Sequence, residues 1–150
     1  ADGRPKTLEF NTRMGDPETQ PIMMRLKSDL VDVLLHGTDG TLDQVELEWD
    51  RRFALGVVMA AAHYPGTPRK GDVITGLPAN PAGTEDTMVF HAGTQARDGQ
   101  TVTSGGRVLC VTALGDSAKT AQHKAYEALR PIAFDGAQWR TDIGHRAIKR

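Results

Sequence analysis

The stretch "TLEFNTRMGDPETQPIM", residues 7–23, concentrates groups that could do chemistry. Glu9 and Asn11 stand two residues apart, so on a β-strand both project from one face. Their side-chain oxygens are hard donors of the kind Mg²⁺ accepts while keeping water or phosphate in its other positions. The same two residues also suit an ordinary solvated strand face. Arg13 offers a bidentate fork for phosphate or carboxylate. Asp16 and Glu18 offer acceptors for an amine or for ribose hydroxyls, with Gly15 and Pro17 constraining the backbone around them. An equally physical reading places Asp16 and Glu18 at the positive N-terminus of a following helix. A second candidate lies in "SGGRVL", residues 104–109, where two glycines could turn backbone N–H groups towards an anion or simply close a hairpin.

The elements that must position these residues follow from periodicity. Residues 6–12 alternate, with Leu8, Phe10 and Thr12 on one side, and are expected to form a strand after Pro5. Pro21 suits the first turn of a helix, whose apolar stripe runs through Ile22, Met23, Leu26, Leu30, Val33 and Leu34. That helix is expected to end at Gly37 with His36 beside its last carbonyls. "VELEW" alternates as a strand does, and "FALGVVMAAA" is a near-continuous apolar run that a buried strand or a short helix could carry, Gly56 and the two valines favouring the strand. "VITGL", "TMVFHAGT", "TVT" and "RVLCVTAL" continue the β pattern, with Asp98-Gly99 and Gly105-Gly106 as hairpin turns. "RVLCVTAL" is apolar on both faces and should be central in an antiparallel meander. Asp116 and Ser117 are candidate caps for a helix carrying the stripe Ala118, Ala121, Ala125, Leu129 and Ile132, ended by Pro131. "WRTDIGHRAI" reads as a closing strand or tail. The fold class is α+β, with an antiparallel sheet over roughly residues 45–114 and a helix covering one face.

Bulk properties exclude several classes. The 150 residues carry a net charge of −1, 39% hydrophobic and 25% charged residues, so no whole-chain field draws nucleic acid or an acidic membrane. Sixteen glycines with only 5% aromatics favour turn-rich β structure. No apolar run approaches the roughly 18 residues of a membrane span. Cys110, the single cysteine, lies in an apolar strand pattern and reads as packing in a reducing, cytoplasmic compartment. His63, His91, His123 and His145 lack metal-ligand spacing. Asp2-Gly3 is a hairpin dipeptide with no strand before it, which suggests a piece of a longer protein.

Arg13 to Gln20 resembles the signature of the phosphoribosylamine–glycine ligase (glycinamide ribonucleotide synthetase) family, R-[LF]-G-D-P-E-x-[QE]. "WDRRFALGVVMAAAHYPGTPRKGDVITGL", "VFHAGT", "VTSGGRVLCVTALG", "AYEALRPIAFDG" and "RTDIGHRAI" resemble that family's C-terminal region in the same order. The resemblance implies an ATP-grasp enzyme of de novo purine biosynthesis. Such an enzyme joins glycine to 5-phosphoribosylamine with ATP cleavage, through a glycyl phosphate, giving glycinamide ribonucleotide, ADP and phosphate. It implies that Glu9 and Asn11 bind Mg²⁺ (or Mn²⁺), with ATP as co-substrate and no protein nucleophile. It further implies that Arg13, Gly15, Asp16, Pro17 and Glu18 serve substrates. Arg107 resembles an arginine that meets a ribonucleotide phosphate in related enzymes. Residues 1–45 would end the ATP-grasp domain as a strand, the signature loop and a helix. Residues 46–150 would form the C-terminal β-rich domain. On this reading most of the ATP site lies outside the 150 residues, which alone should be inactive. The alternative is a non-catalytic binding or interaction module built on the same β domain.

Overall fold

A computed structural model describes Gly3, residues 5–80 and residues 83–149. The Asp2-Gly3 turn therefore falls partly outside the described residues. The elements in chain order are α1 (Thr19–Arg25), α2 (Leu30–Asp39), a 3₁₀ turn (Leu42–Gln44), β1 (Phe53–Ala60), β2 (Thr87–His91), β3 (Thr94–Arg97), β4 (Gln100–Thr103), β5 (Arg107–Gly115), α3 (Ala118–Leu129) and α4 (His145–Ile148).

The core is the antiparallel sheet β1-β5-β2 under α3. β5 is central, as its two apolar faces required: Val111 lies opposite Val57 of β1 and Val89 of β2. Leu55, Val57 and Met59 of β1 and Leu109, Val111 and Ala113 of β5 turn one face towards Ala121, Ala125 and Leu129 of α3. Ser117 caps α3 by accepting from Thr120 N at 3.1 Å. α1 lies on the opposite face, where Pro21 comes against Gly56 of β1. The backbone at Gln138 pairs with Ala60 through N–H···O bonds of 2.7 and 2.9 Å, covering the free edge of β1.

The expected meander is replaced by a different order. β3 and β4 form a separate two-stranded hairpin, turned by Asp98 and Gly99 at φ +51° and +75°. The chain then re-enters the main sheet between β1 and β2. "VITGL" makes only single bridges, Val73 to Val102 and Thr75 to Ala133.

Residues 6–12 do not form the expected strand: they are irregular and exposed, with Leu8 97% and Phe10 85% accessible. Alternation is not enough without a neighbouring strand to accept the backbone bonds. The expected helix from Pro21 to Gly37 is split in two. Ser28 and Asp29 interrupt it, Asp29 accepting from Val31 N at 2.8 Å as the cap of α2 and Ser28 Oγ accepting from Glu48 N at 2.7 Å. Such residues offer the backbone a local alternative to helix. The left-handed stop is Gly40, at φ +71°, and not Gly37. "VELEW" is no strand: among its residues only Trp49 makes a bridge, to Leu26. The closing segment likewise contains α4 and no strand.

An ion network fastens the sheet to its helix. Arg52 grips Asp50 with Nη2–Oδ2 at 2.7 Å and Asp86 with Nη1–Oδ1 at 2.7 Å, and Lys124 of α3 reaches the other Asp86 oxygen at 2.5 Å. Arg52, above all, holds Asp50 well below the ordinary 3.8 of a carboxyl. Lys124, then Arg52, lower Asp86 from the same value. As pH falls, the unfolded chain takes up these protons first, so this stabilisation is complete above about pH 4 and is lost below it. Acid titration of thermal stability should show a decline starting near pH 4, and Asp86→Asn should flatten it; an unchanged profile would remove Asp86 from the cause. Met59, fully buried, should cost about 2–5 kcal/mol on truncation to Ala through transfer and cavity terms, read from urea unfolding. A loss under about 1 kcal/mol would show that the core under α3 collapses to fill the gap.

Candidate functional site

β1 exposes small residues on the face away from α3: Gly56, Val58 and Ala60. Their flatness leaves a cavity of about 590 Å³, walled by Pro17, Tyr64, Arg107 and the segment Gln138–Ile143. Arg107 reaches it through an irregularity. Met59 lies opposite Leu109, but the next residue, Ala60, lies opposite Arg107, so β5 spends one residue more than β1. A β-bulge of this kind shifts alternation by one and re-aims a side chain. In regular register Arg107 would share the buried α3 face with Leu109 and Val111. The bulge instead sets it beside Ala60, in the cavity.

The guanidinium is held from two sides. Its Nε donates to the Tyr64 hydroxyl at 3.0 Å. Its Nη1 donates to the backbone carbonyl of Asp16 at 2.6 Å and lies 3.3 Å from Asp16 Oδ2. Tyr64, and then Asp16, raise the pKa of Arg107 above its ordinary value, so it is a fixed positive charge. Nη2 has no protein partner among the described residues.

The signature loop folds on itself. Thr19 returns both its N–H (3.0 Å) and its hydroxyl (2.5 Å) to the Gly15 carbonyl. The Glu18 carboxylate lies where a Cβ on Gly15 would be, so any larger residue there would displace that carboxylate. Glu18 occupies the cap position of α1 without a capping bond. Pro17 lines the cavity. Arg13 is exposed and donates to the Met14 carbonyl at 3.0 Å. Gln20 Oε1 is buried without a hydrogen-bond partner.

Of the residues singled out from sequence, Asp16, Pro17 and Arg107 thus converge at the cavity. Gly15 and Glu18 shape the adjoining loop. Glu9 and Asn11 stay in the exposed irregular segment. They provide one carboxylate and one amide oxygen. This set fits a hard cation that draws its remaining ligands from water or phosphate, and is too small to hold one alone. Among the described residues no three His, Cys, Asp or Glu side chains group as a metal site. Cys110 is buried, with its thiol raised above its ordinary pKa mainly by that burial, as a packing residue requires.

The sequence reading missed the far wall. No motif in the sequence marks Tyr64, Gln138, Trp139, Arg140 or Ile143 as site residues. α3 holds this wall: Tyr126 donates to the Arg140 carbonyl at 2.7 Å and Gln122 to the Ile143 carbonyl at 2.6 Å. Arg140 is locked to Asp142 by bonds of 2.8 and 2.6 Å. Nothing local marks these residues, because long-range packing brings them to the site.

The family described as phosphoribosylglycinamide synthetase, C domain, matches residues 54–146. The phosphoribosylamine–glycine ligase of Ralstonia nicotianae is 67% identical over 150 residues, all of this chain and 35% of that protein. The Escherichia coli O157:H7 ligase is 58% identical over 149 residues, 99% of this chain and 34% of that protein. The crystal structure of the Thermotoga maritima ligase superimposes with a TM-score of 0.78 at 40% identity, covering 95% of this chain and 34% of that one. The chain therefore spans about a third of the length of these relatives. With a family match over residues 54–146 and 67% identity to a relative along its whole length, the chain belongs to the phosphoribosylglycinamide synthetase family.

Proposed function

We propose that these residues act within a phosphoribosylamine–glycine ligase, the activity named for the relatives. The reaction joins glycine to 5-phosphoribosylamine in de novo purine biosynthesis, in the cytoplasm. ATP is cleaved to ADP and phosphate, and the glycine carboxylate passes through glycyl phosphate. The observation that carries this reading is Arg107, turned by the bulge into a cavity beside the signature loop, with one nitrogen unpartnered among the described residues.

In this reading Arg107 binds the 5-phosphate of phosphoribosylamine. A fixed guanidinium offers that dianion paired donors and a positive charge. Asp16 and Glu18, with Arg13 beside them, orient the amine, the glycine and the ribose. Gly15 and Pro17 hold the loop that presents them. The amine is thereby kept near the acyl carbon it attacks, and placement of this kind supplies much of the rate without a protein nucleophile. Glu9 and Asn11 would hold Mg²⁺ (or Mn²⁺), which when bound neutralises charge on the ATP phosphates. Residues 1–45 belong to the end of an ATP-grasp domain and residues 46–150 to the C-terminal β-rich domain. The family match over residues 54–146 supports the second assignment.

The test uses a chimera in which this chain replaces the matching third of the Ralstonia nicotianae ligase. Arg107→Ala is expected to raise KM for phosphoribosylamine roughly ten- to hundredfold, from loss of a charge-assisted phosphate contact, with KM for ATP little changed. An unchanged KM for phosphoribosylamine would exclude Arg107 from that site. Glu9→Ala and Asn11→Ala should each lower turnover and raise the Mg²⁺ concentration for half-maximal rate; wild-type turnover at limiting Mg²⁺ would exclude the pair as ligands. The 150 residues alone should show no micromolar binding of Mg-ATP by calorimetry, and a micromolar isotherm would overturn that expectation.

A further inference from the structure

The Arg107 side chain has enough rotatable bonds to sweep a wide arc, and presenting one edge to a ligand requires that freedom to be removed. From the fixed geometry of its neighbour we infer that Tyr64 is the positioning residue for Arg107. Its hydroxyl accepts from Nε at 3.0 Å and sets the plane of the guanidinium, so that Nη1 meets the Asp16 carbonyl and Nη2 stays available at the cavity.

Tyr64 is itself immobilised. It follows β1 in a tight turn, with Tyr64 N donating to the Ala61 carbonyl at 3.2 Å and Gly66 N to the His63 carbonyl at 2.8 Å. His63 takes a left-handed φ of +68°. The Cδ2–Cε2 edge of the tyrosine ring lies against Gly106, the residue before Arg107. A Cβ on Gly106 would sit 2.6 Å from Tyr64 Cδ2 and 3.0 Å from Cε2, with Pro68 Cγ at 3.2 Å. The second glycine of "SGGR" is thus the space in which the ring packs, and the hydroxyl reaches forward over it to the guanidinium. Tyr64 contributes a ring that packs and a hydroxyl that orients, and the two roles separate in Tyr64→Phe.

This inference rests on the reading that Arg107 receives the substrate phosphate, and the experiment distinguishes the two. In the chimera, Tyr64→Phe keeps the ring and is expected to leave the melting temperature unchanged. It should raise KM for phosphoribosylamine roughly five- to tenfold, the net scale of one ordinary hydrogen bond. Turnover should stay within about twofold, and KM for ATP and glycine should not move. The double variant Tyr64→Phe/Arg107→Ala should bind no worse than Arg107→Ala alone, because a positioning role vanishes with the residue it positions. If Arg107→Ala raises this KM and Tyr64→Phe does not, the inference falls and the phosphate reading stands. If Arg107→Ala has no effect, the phosphate reading falls and takes the inference with it. If the two losses add, Tyr64 acts apart from Arg107 and the inference is overturned. A second measurement stands should the chimera prove inactive: titration of the 150-residue chain with ribose 5-phosphate, followed by the Arg107 Nε–H resonance in NMR. Tyr64→Phe should weaken that binding by the same factor, and equal binding by both forms would overturn the inference.

Discussion

The pairing of β1 with β5 is the constraint on which the remainder of the molecule hangs. It runs in regular antiparallel register from Phe53 opposite Gly115 to Met59 opposite Leu109 and then slips by one residue. Along the regular part, alternation sends Leu55, Val57, Met59, Leu109 and Val111 to the α3 face and Gly56, Val58, Cys110 and Thr112 to the other. At the slip the sorting inverts, and a cation that would have been buried in hydrocarbon emerges into a cavity. Burying an unpaired guanidinium on the α3 face would cost several kcal/mol. The slip is therefore needed for stability wherever Arg stands at position 107, and the same displacement builds the site.

The two faces of the sheet consequently have different duties. Under α3 the side chains are large and close-packed, and nearly all are fully buried. On the other face Gly56, Val58 and Ala60 leave room, and what covers them is a loop and a short helix fastened mainly by backbone bonds. Cys110 and Thr112 lie on this second face, their Sγ and Oγ1 3.5 Å apart. They fill the space beneath Pro21 without intruding on the cavity. A rigid layer thus supports a more open one, the arrangement in which preorganised ligand groups are best held.

Much of this was legible in the chain, for identifiable reasons. β5 reads as central because it is apolar on both faces. α3 reads clearly because Ser117 and the alanine stripe agree with each other. Asp98-Gly99 reads as a turn because few other dipeptides accept two positive φ angles. The signature loop stood out because its charges sit around residues with special backbone geometry. The misreadings come from interactions that a local pattern does not contain. Residues 6–12 alternate like a strand but have no partner among the described residues. Ser28 and Asp29 outweigh a continuous apolar stripe because their side chains satisfy backbone groups that a helix would have used. The bulge leaves no trace in "RVLCVTAL", since Val108 and Leu109 are both apolar and either register looks acceptable. Tyr64 and the Gln138–Ile143 wall join the site from 43 and about 30 residues away along the chain, distances at which spacing says nothing.

The contact between Arg107 and Asp16 joins residues 91 apart in sequence, and its composition differs from that of a stabilising ion pair. Both side chains are about half exposed, and an ion pair in that setting contributes little to stability. The shorter bond is not to the carboxylate but to the Asp16 backbone carbonyl, at 2.6 Å against 3.3 Å. A carbonyl carries no net charge, so it fixes the guanidinium without neutralising it. The Asp16 carboxylate, only loosely engaged, remains able to meet a cationic or amine group nearby. An arrangement built for stability would have used the carboxylate as a bidentate partner, as Asp50 is used by Arg52. Here the charge on Arg107 is kept, one nitrogen has no partner among the described residues, and the loop is tied to the sheet by the backbone of Asp16. In the proposed reading, that division would suit a substrate carrying both an anionic phosphate and an amine.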